Sequence, residues 1–545
     1  MLFNSYPFIF IFLPVTFIGM FMIGRLSQRV AIWWMGLASL IFYAYWSAYF
    51  VLLLLSSVVF NYLTAHWIRR FNPIKQRVGI NIPLILGLLA NLGLLIYFKY
   101  SNFFLSNLYS LLGMHYAALD IILPLGISFF TFTQLAFLVD ISLGETTEKS
   151  FGKYLLFVTF FPHLIAGPLM HHKQMMPQFA NRENFRLNRI NISLGLTIFT
   201  LGLAKKIFIA DNFSHIADPL FTAAHSSNTF QFFEAWAGAL AYTLQLYFDF
   251  SAYSEMAIGL SLLFNIRMPL NFNSPYKSQS MIDFWQRWHM SLTKYIGEYL
   301  YTPITVWFMR LSMNLSGTAE VTYTLVIPTL ITFVIVGLWH GANWTFLAFG
   351  TLHGMYLVCN HIWRKFRRHR GWFKNSIAFP IFSCLLTYIS AVFAFVIFRS
   401  EQMSDAWRIQ EAMLGFNGIS LPTTLRDLLP GLAAWESEGK LAFDGIFPNI
   451  AFSMPNFAIL GLLVVGHVII WCLPNIHQIT YGYLIVSQDI ALGRSLSKKI
   501  SPSKFFATLR WKPNAIWGIS LGILFFLIII SMAVYKPAPF LYYQF

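Results

Sequence analysis

Two histidines stand on apolar faces of the chain. His340 lies in "GLWHGANWTF" (337–346), at the end of an apolar run that begins near Val321, and His289 lies in "FWQRWHMSLTKY" (284–295). A neutral imidazole takes a proton from a hydroxyl and returns it to a leaving group near pH 7, which is the role of a general base in acyl transfer. A lone histidine on an apolar face is more often a satisfied core residue, but ionisable side chains at membrane depth are costly and usually line a pathway or a site. Gly337, Gly341 and Ala342 leave room for a substrate, or simply for a second helix. Asn343 and Trp344, three and four residues past His340, are expected on the same helical face, where they would orient it. Residues 280–304 read as one helix. Asp283, Arg287, Ser291, Lys294 and Glu298 form its polar stripe, and His289, about 200° around from Arg287, falls on the inward face with Trp285, Leu292, Ile296 and Leu300.

The elements that must carry these residues are membrane helices. Of 545 residues 57% are hydrophobic and 11% charged, whereas a soluble chain carries about 25% charged residues. The net charge of +16 sits in short loops between apolar runs, as topology and anionic lipid headgroups require, so nucleic acid is not an expected partner. Spanning segments are expected at 7–24, 30–47, 49–66, 81–98, 117–139, 191–209, 230–250, 321–343, 344–363, 376–398, 453–472 and 515–535, each long enough to cross roughly 30 Å of hydrocarbon. The chain reads as all-α, a multi-pass membrane protein with about 11–13 transmembrane helices plus re-entrant and interfacial helices. The segment 154–170, broken by Pro162, Gly167 and Pro168, is expected to be re-entrant. Arg25 and Arg29 follow the first helix rather than precede it, which reads as a retained helix with its N-terminus outside. The basic loops 67–78, 171–190, 364–374 and 494–512 then fall inside. The acidic loop 400–452 and the C-terminus fall outside. Cys359, Cys384 and Cys472 are far apart in apolar segments and point to no disulfide or metal site. His163, His171 and His172 lack metal-ligand spacing, so no metal is expected.

"FWQRWHMSLTKYIGEYLY", followed by "GLWHGANWTFLAFGTLHG", resembles the signature of the membrane-bound O-acyltransferase family in its bacterial branch. "PLGISFFTFTQLAFLVD" (124–140), "FFPHLIAGPLM" (160–170), "GLAKKIFIAD" (202–211), "LQLYFDFSAYSEMAIGLSLLFNI" (244–266) and "NFNSPYKSQSMIDFWQRWH" (271–289) resemble successive family blocks in order. The resemblance implies one membrane domain over 1–545 with a central tunnel, in a bacterial cytoplasmic membrane with both termini periplasmic. His340 would be the catalytic base, and His289 would assist donor binding or proton handling. Trp285, Trp288, Asp249, Trp339, Asn343 and Trp344 would line the tunnel, an ordinary hydrogen-bonding role for Asp249 being the alternative. No cofactor is implied. The donor would be acetyl-CoA or a similar cytoplasmic thioester, and the product an O-acetylated extracytoplasmic polysaccharide.

The ending "PAPFLYYQF" resembles the aromatic tail of the polysaccharide-acetylating members, which places Tyr542 as a possible acyl carrier; an interfacial aromatic belt is the alternative. A periplasmic transferase of SGNH-hydrolase type, or glycan-synthesis machinery, is the implied partner, with membrane lipid around the helices. His163, the "MHH" at 170–172, Ala252 and "YTPITVWF" (301–308) depart from the family pattern in ways that bear on donor specificity. The rival readings are an acceptor such as teichoic acid, lipid or protein, and a scaffold or transporter. A transporter is disfavoured because no internal repeat is visible.

Overall fold

Apolar runs with few charges can satisfy their backbone polar groups in lipid only by hydrogen bonding within the segment, and they fold here as helices. The computed structural model describes residues 1–71, 81–146, 148–373, 376–428, 431, 433–438, 441–483, 485–486, 509–535 and 538–541. Much of the basic loop 67–78, nearly all of 494–512 and the whole of "YYQF" lie outside the described residues. The principal helices are α1 (Phe8–Leu26), α2 (Gln28–Ala44), α3 (Ala48–Arg70), α4 (Ile82–Leu111), α5 (Ile127–Ser142), α6 (Phe151–Thr159), α7 (Arg189–His225), α8 (Phe232–Leu263), α9 (Met281–Trp285), α10 (Met290–Ile296), α11 (Gly317–His340), α12 (Trp344–Arg370), α13 (Ala378–Arg399), α14 (Asn456–Cys472) and α15 (Ala515–Val534). Among the described residues, α1, α3, α4, α7, α11, α13 and α15 are each long and apolar enough to cross a membrane. The expected span α2 has 17 residues, and α8 and α12 are long but carry polar and basic side chains such as Glu234, Asp249 and Arg364.

The chain forms two compact units, residues 1–203 with 252–271 and 476–544, and residues 204–251 with 272–475. In the first, an aromatic core gathers Phe3, Phe8, Phe12, Phe42 and Phe161. Buried polar groups there are matched between helices: Asn61 and Asn91 exchange amide hydrogen bonds at 3.1 and 2.6 Å, and Gln134 donates to Ser57. One expectation is corrected in this unit. The helix expected at 117–139 begins only at Ile127, after a turn through Pro124 and a left-handed Gly126 (φ 73°) that neither residue type continues as helix. The segment 154–170 is helical only to Thr159 and then winds through buried turns, where Ser39 Oγ accepts from Phe161 N at 3.1 Å.

The second unit holds both motif histidines. Its helices α11 and α12 pack as an antiparallel hairpin with their backbones in contact. A Cβ added at Gly337 would lie 2.3 Å from the Phe346 carbonyl oxygen, and one at Gly350 would lie 2.2 Å from that of Phe333. A Cβ at Gly341 would strike the Phe346 ring at 2.1 Å. The glycines around His340 therefore serve helix packing, and the space they leave is filled by the neighbouring helix rather than by a substrate.

Overpacking this contact forces the helices apart. Gly350→Val is expected to destabilise the protein by about 1–3 kcal/mol or more, lowering the thermal unfolding midpoint in detergent. Gly518→Ala, where a Cβ meets nothing within 4 Å, should leave the midpoint unchanged or raise it. Equal midpoints for the two variants would contradict the packing role.

Candidate active site

His340 is the last residue of α11. Gly341 leaves the helix in an extended conformation, and Asn343 caps the next one, its Oδ1 accepting from Thr345 N at 3.5 Å while its Nδ2 donates to the Glu401 carbonyl at 2.7 Å. The helix ends at His340, so Asn343 and Trp344 do not continue its helical face, which corrects the spacing on which that expectation rests; Trp344 is exposed. His340 is half-buried among Trp339, Phe398 and Phe349, with ring centroids 4.8, 5.2 and 6.0 Å away.

His289 is not on a continuous helix. Residues 280–304 break into α9 and α10, and His289 sits at the corner between them with φ 43° and ψ 51°. That left-handed conformation is uncommon for a residue with a Cβ and is typically held in place by its surroundings at functional sites. Here the surroundings are Phe250 (4.9 Å, edge-on), Phe272 and Trp339. The polar stripe survives in part as the Asp283–Arg287 and Lys294–Glu298 pairs. Both histidines contact one indole: the Trp339 ring lies 6.1 Å from His289 and 4.8 Å from His340. Trp288 is core, packed on Phe284, Phe272 and Phe395. Trp285 donates from its indole N–H to Nδ1 of His353 at 3.3 Å. His353 is fully buried and was missed by motif reasoning; its signal was its position three and seven residues before Tyr356 and Asn360, on one face of α12.

Asp249 does not stand alone. Lys206, on a π-helical turn of α7 (Lys205–Ala210), lies 2.6 Å from Asp249 and 2.7 Å from Asp211. Lys206 and Asp249 are almost wholly buried, so the carboxylate is a structural counter-charge to a buried lysine. In the same unit a cavity of 710 Å³ opens between the start of α9, the C-terminal half of α12 and α13. Asp283, Tyr356, Asn360, Arg364, Arg367 and Phe379 are among its lining residues.

In the first unit, His163 bonds the Phe157 carbonyl at 2.8 Å. Asp140, His171 and His172 bring ligand atoms within 4.8 Å of one another, a spacing open to a metal although the sequence pattern predicts none. Lys173 Nζ, 3.5 Å from Asp140 Oδ2, already supplies the counter-charge. Burial, together with His171, pushes His172 down to about 3. The tail is described to Leu541, with Phe540 edge-on to Tyr253; Tyr542 lies outside the described residues.

The family model for membrane-bound O-acyltransferases matches residues 144–404. A peptidoglycan O-acetyltransferase of Helicobacter pylori is 40% identical over 508 residues, covering 87% of this chain and 90% of that protein. The chain belongs to the membrane-bound O-acyltransferase family. A probable alginate O-acetylase of Pseudomonas aeruginosa is 37% identical over 440 residues, 79% of this chain and 78% of that one. A teichoic acid D-alanyltransferase of Streptococcus thermophilus is 30% identical over 302 residues, 52% and 69% of the two chains. This acyltransferase is therefore a helical, multi-pass membrane enzyme that uses an acyl donor.

The buried triad of the acyltransferase gives a separate test. Lys206→Met removes the cation that lies between Asp211 and Asp249 and is expected to cost about 3–5 kcal/mol, seen as loss of folded protein in detergent by size-exclusion fluorescence. Adding Asp249→Asn should recover part of it. A fully stable single variant would contradict the pairing.

Proposed function

We propose that the acyltransferase is an O-acetyltransferase that moves an acetyl group from cytoplasmic acetyl-CoA to the hydroxyls of an extracytoplasmic polysaccharide. The observation that carries this reading is the Trp339 contact of both motif histidines, in the same unit as a cavity lined in part by arginines. Arg364, Arg367 and Arg368 in that lining match the phosphates of coenzyme A. His340 Nε2 or Nδ1 takes the proton of the acceptor hydroxyl, and its oxygen attacks the thioester carbonyl. The C–S bond breaks, and the imidazolium returns the proton to the leaving sulfur. His289 holds or hands on a proton on the donor side.

The relatives named for peptidoglycan and alginate acetylation cover more of the chain than the one named for D-alanyl transfer, which favours acetyl and a glycan; peptidoglycan is the first acceptor to assay. The reading also carries the bacterial cytoplasmic membrane, periplasmic termini, an external 400–452 segment, Tyr542 as acyl carrier on the far side and a periplasmic SGNH-type transferase as partner. The charge pattern supports that orientation, with acidic side chains in 400–452 and basic ones in 364–374.

The test is base-released acetate from cell-surface glycan in a deletion strain carrying the wild-type chain or His340→Ala, with membrane abundance matched. Wild type restores acetate and His340→Ala restores less than about 1% of it, the scale expected for loss of general-base catalysis. Full restoration by His340→Ala would overturn the assignment. Glycan acetate unchanged by deletion would overturn the acceptor.

A further inference from the structure

Successive contacts between α9 and α12 lead inward from the basic cavity. At the cavity wall, Ile282 N donates to Asn360 Oδ1 at 3.4 Å. One step deeper on both helices, three residues along α9 and seven back along α12, Trp285 donates to Nδ1 of His353 at 3.3 Å. Deeper still, Phe349 bridges His353 and His340, its ring centroid 4.6 Å from the former and 6.0 Å from the latter. By helical rise, Arg364 lies about 16 Å along α12 from His353. His353 thus lies between the arginines of the cavity lining and the proposed catalytic base.

Its protonation is set by its neighbour. Because Nδ1 accepts from the indole, the neutral ring keeps its proton on Nε2. His353 is 0% exposed, and Nε2 has no hydrogen-bond partner among the described residues. A buried donor left unpaired costs roughly 1–3 kcal/mol; such groups in native proteins call for an explanation, often a ligand. The ring has van der Waals partners on several sides, Phe284 stacked at 6.3 Å and Phe349 and Trp285 edge-on, so packing alone would have been met by Phe or Leu.

We infer that His353 Nε2–H donates to an amide carbonyl of the phosphopantetheine arm of the acyl donor, holding the arm between the arginines and His340. The assignment rests on the acyl-transfer reading above and names the part of the donor that this segment recognises. The arm carries two amides between its phosphate and its sulfur, and acetyl-CoA and an acetylated carrier protein share it. His353 is on this account a donor-binding residue and takes no proton in the reaction.

The test uses inverted membrane vesicles from cells carrying the full chain, with thiol release measured above vesicles of the deletion strain. Four thioesters are compared: acetyl-CoA, an acetylated acyl carrier protein, S-acetyl-N-acetylcysteamine, which keeps one arm amide, and S-propyl thioacetate, which has none. His353→Phe is expected to raise KM about tenfold for the three amide-bearing donors, with kcat changed less and kcat/KM for S-propyl thioacetate unchanged. His353→Gln, which can accept from Trp285 and still donate, should recover most of the loss. Because each variant is its own control across donors, a folding defect lowers all four alike. An equal loss with all four donors, or no loss with any, overturns the assignment. Wild-type vesicles inactive with all four would overturn the acyl-transfer reading and this one with it. The two sources of the complete arm, acetyl-CoA and the acetylated carrier protein, are separated by kcat/KM in wild type, and either source showing the His353 dependence supports the assignment.

Discussion

The backbone contact of α11 with α12 at Gly337 and Gly350 is what the site's geometry depends on. With no Cβ on either residue, the helices approach until backbone meets backbone. In lipid, where the hydrophobic effect does not drive one helix onto another, such close van der Waals contact is a main source of association. The short link 341–343 then folds the chain back at once. His340 ends one helix beside Phe349 of the other, and His353 follows one turn further along. A larger residue at either glycine moves His340 relative to His353 rather than only loosening a core.

Within each unit, polar side chains divide by how they are satisfied. Lys206 is matched by Asp249 and Asp211, Asn61 by Asn91, and Tyr388 bonds His467 at 2.9 Å. These groups hold helices together, and removing one partner is costly because the other is left buried and charged or unpaired. The three histidines of the second unit differ: His289 is held in a left-handed corner between α9 and α10, His340 is half-buried at the end of α11, and His353 on α12 uses one ring nitrogen for Trp285 and leaves the other. Backbone strain and an unpaired donor are features a fold keeps when a ligand uses them.

Much of this was legible from residue order. Hydropathy located nearly every helix because lipid imposes a length and an apolar composition on each, and the family blocks singled out both motif histidines. What periodicity missed was where helices stop. Asp283, Arg287 and Lys294 keep helical spacing across a corner that only tertiary packing imposes, so periodicity places His289 on an unbroken helix. Gly341 at a helix end looks like the small residues at a helix crossing, so spacing places Asn343 and Trp344 on the face of His340. Lys206 lies within "GLAKKIFIAD" and His353 within "GLWHGANWTFLAFGTLHG", yet order alone singles out neither: a buried lysine shows itself only when its two carboxylates are placed against it, and His353 only when Trp285 is.

The central claim is that an acyl group presented on the cytoplasmic side crosses the membrane by way of His340. Inverted membrane vesicles supplied externally with acetyl-labelled acetyl-CoA test it directly, since their lumen is the extracytoplasmic side. Base-labile label in luminal glycan, protected from external esterase, should accumulate with the wild-type chain and stay at the deletion-strain level with an equal amount of His340→Ala. Luminal label arriving at the wild-type rate with His340→Ala, or label confined to the outer face with the wild type, would contradict the account.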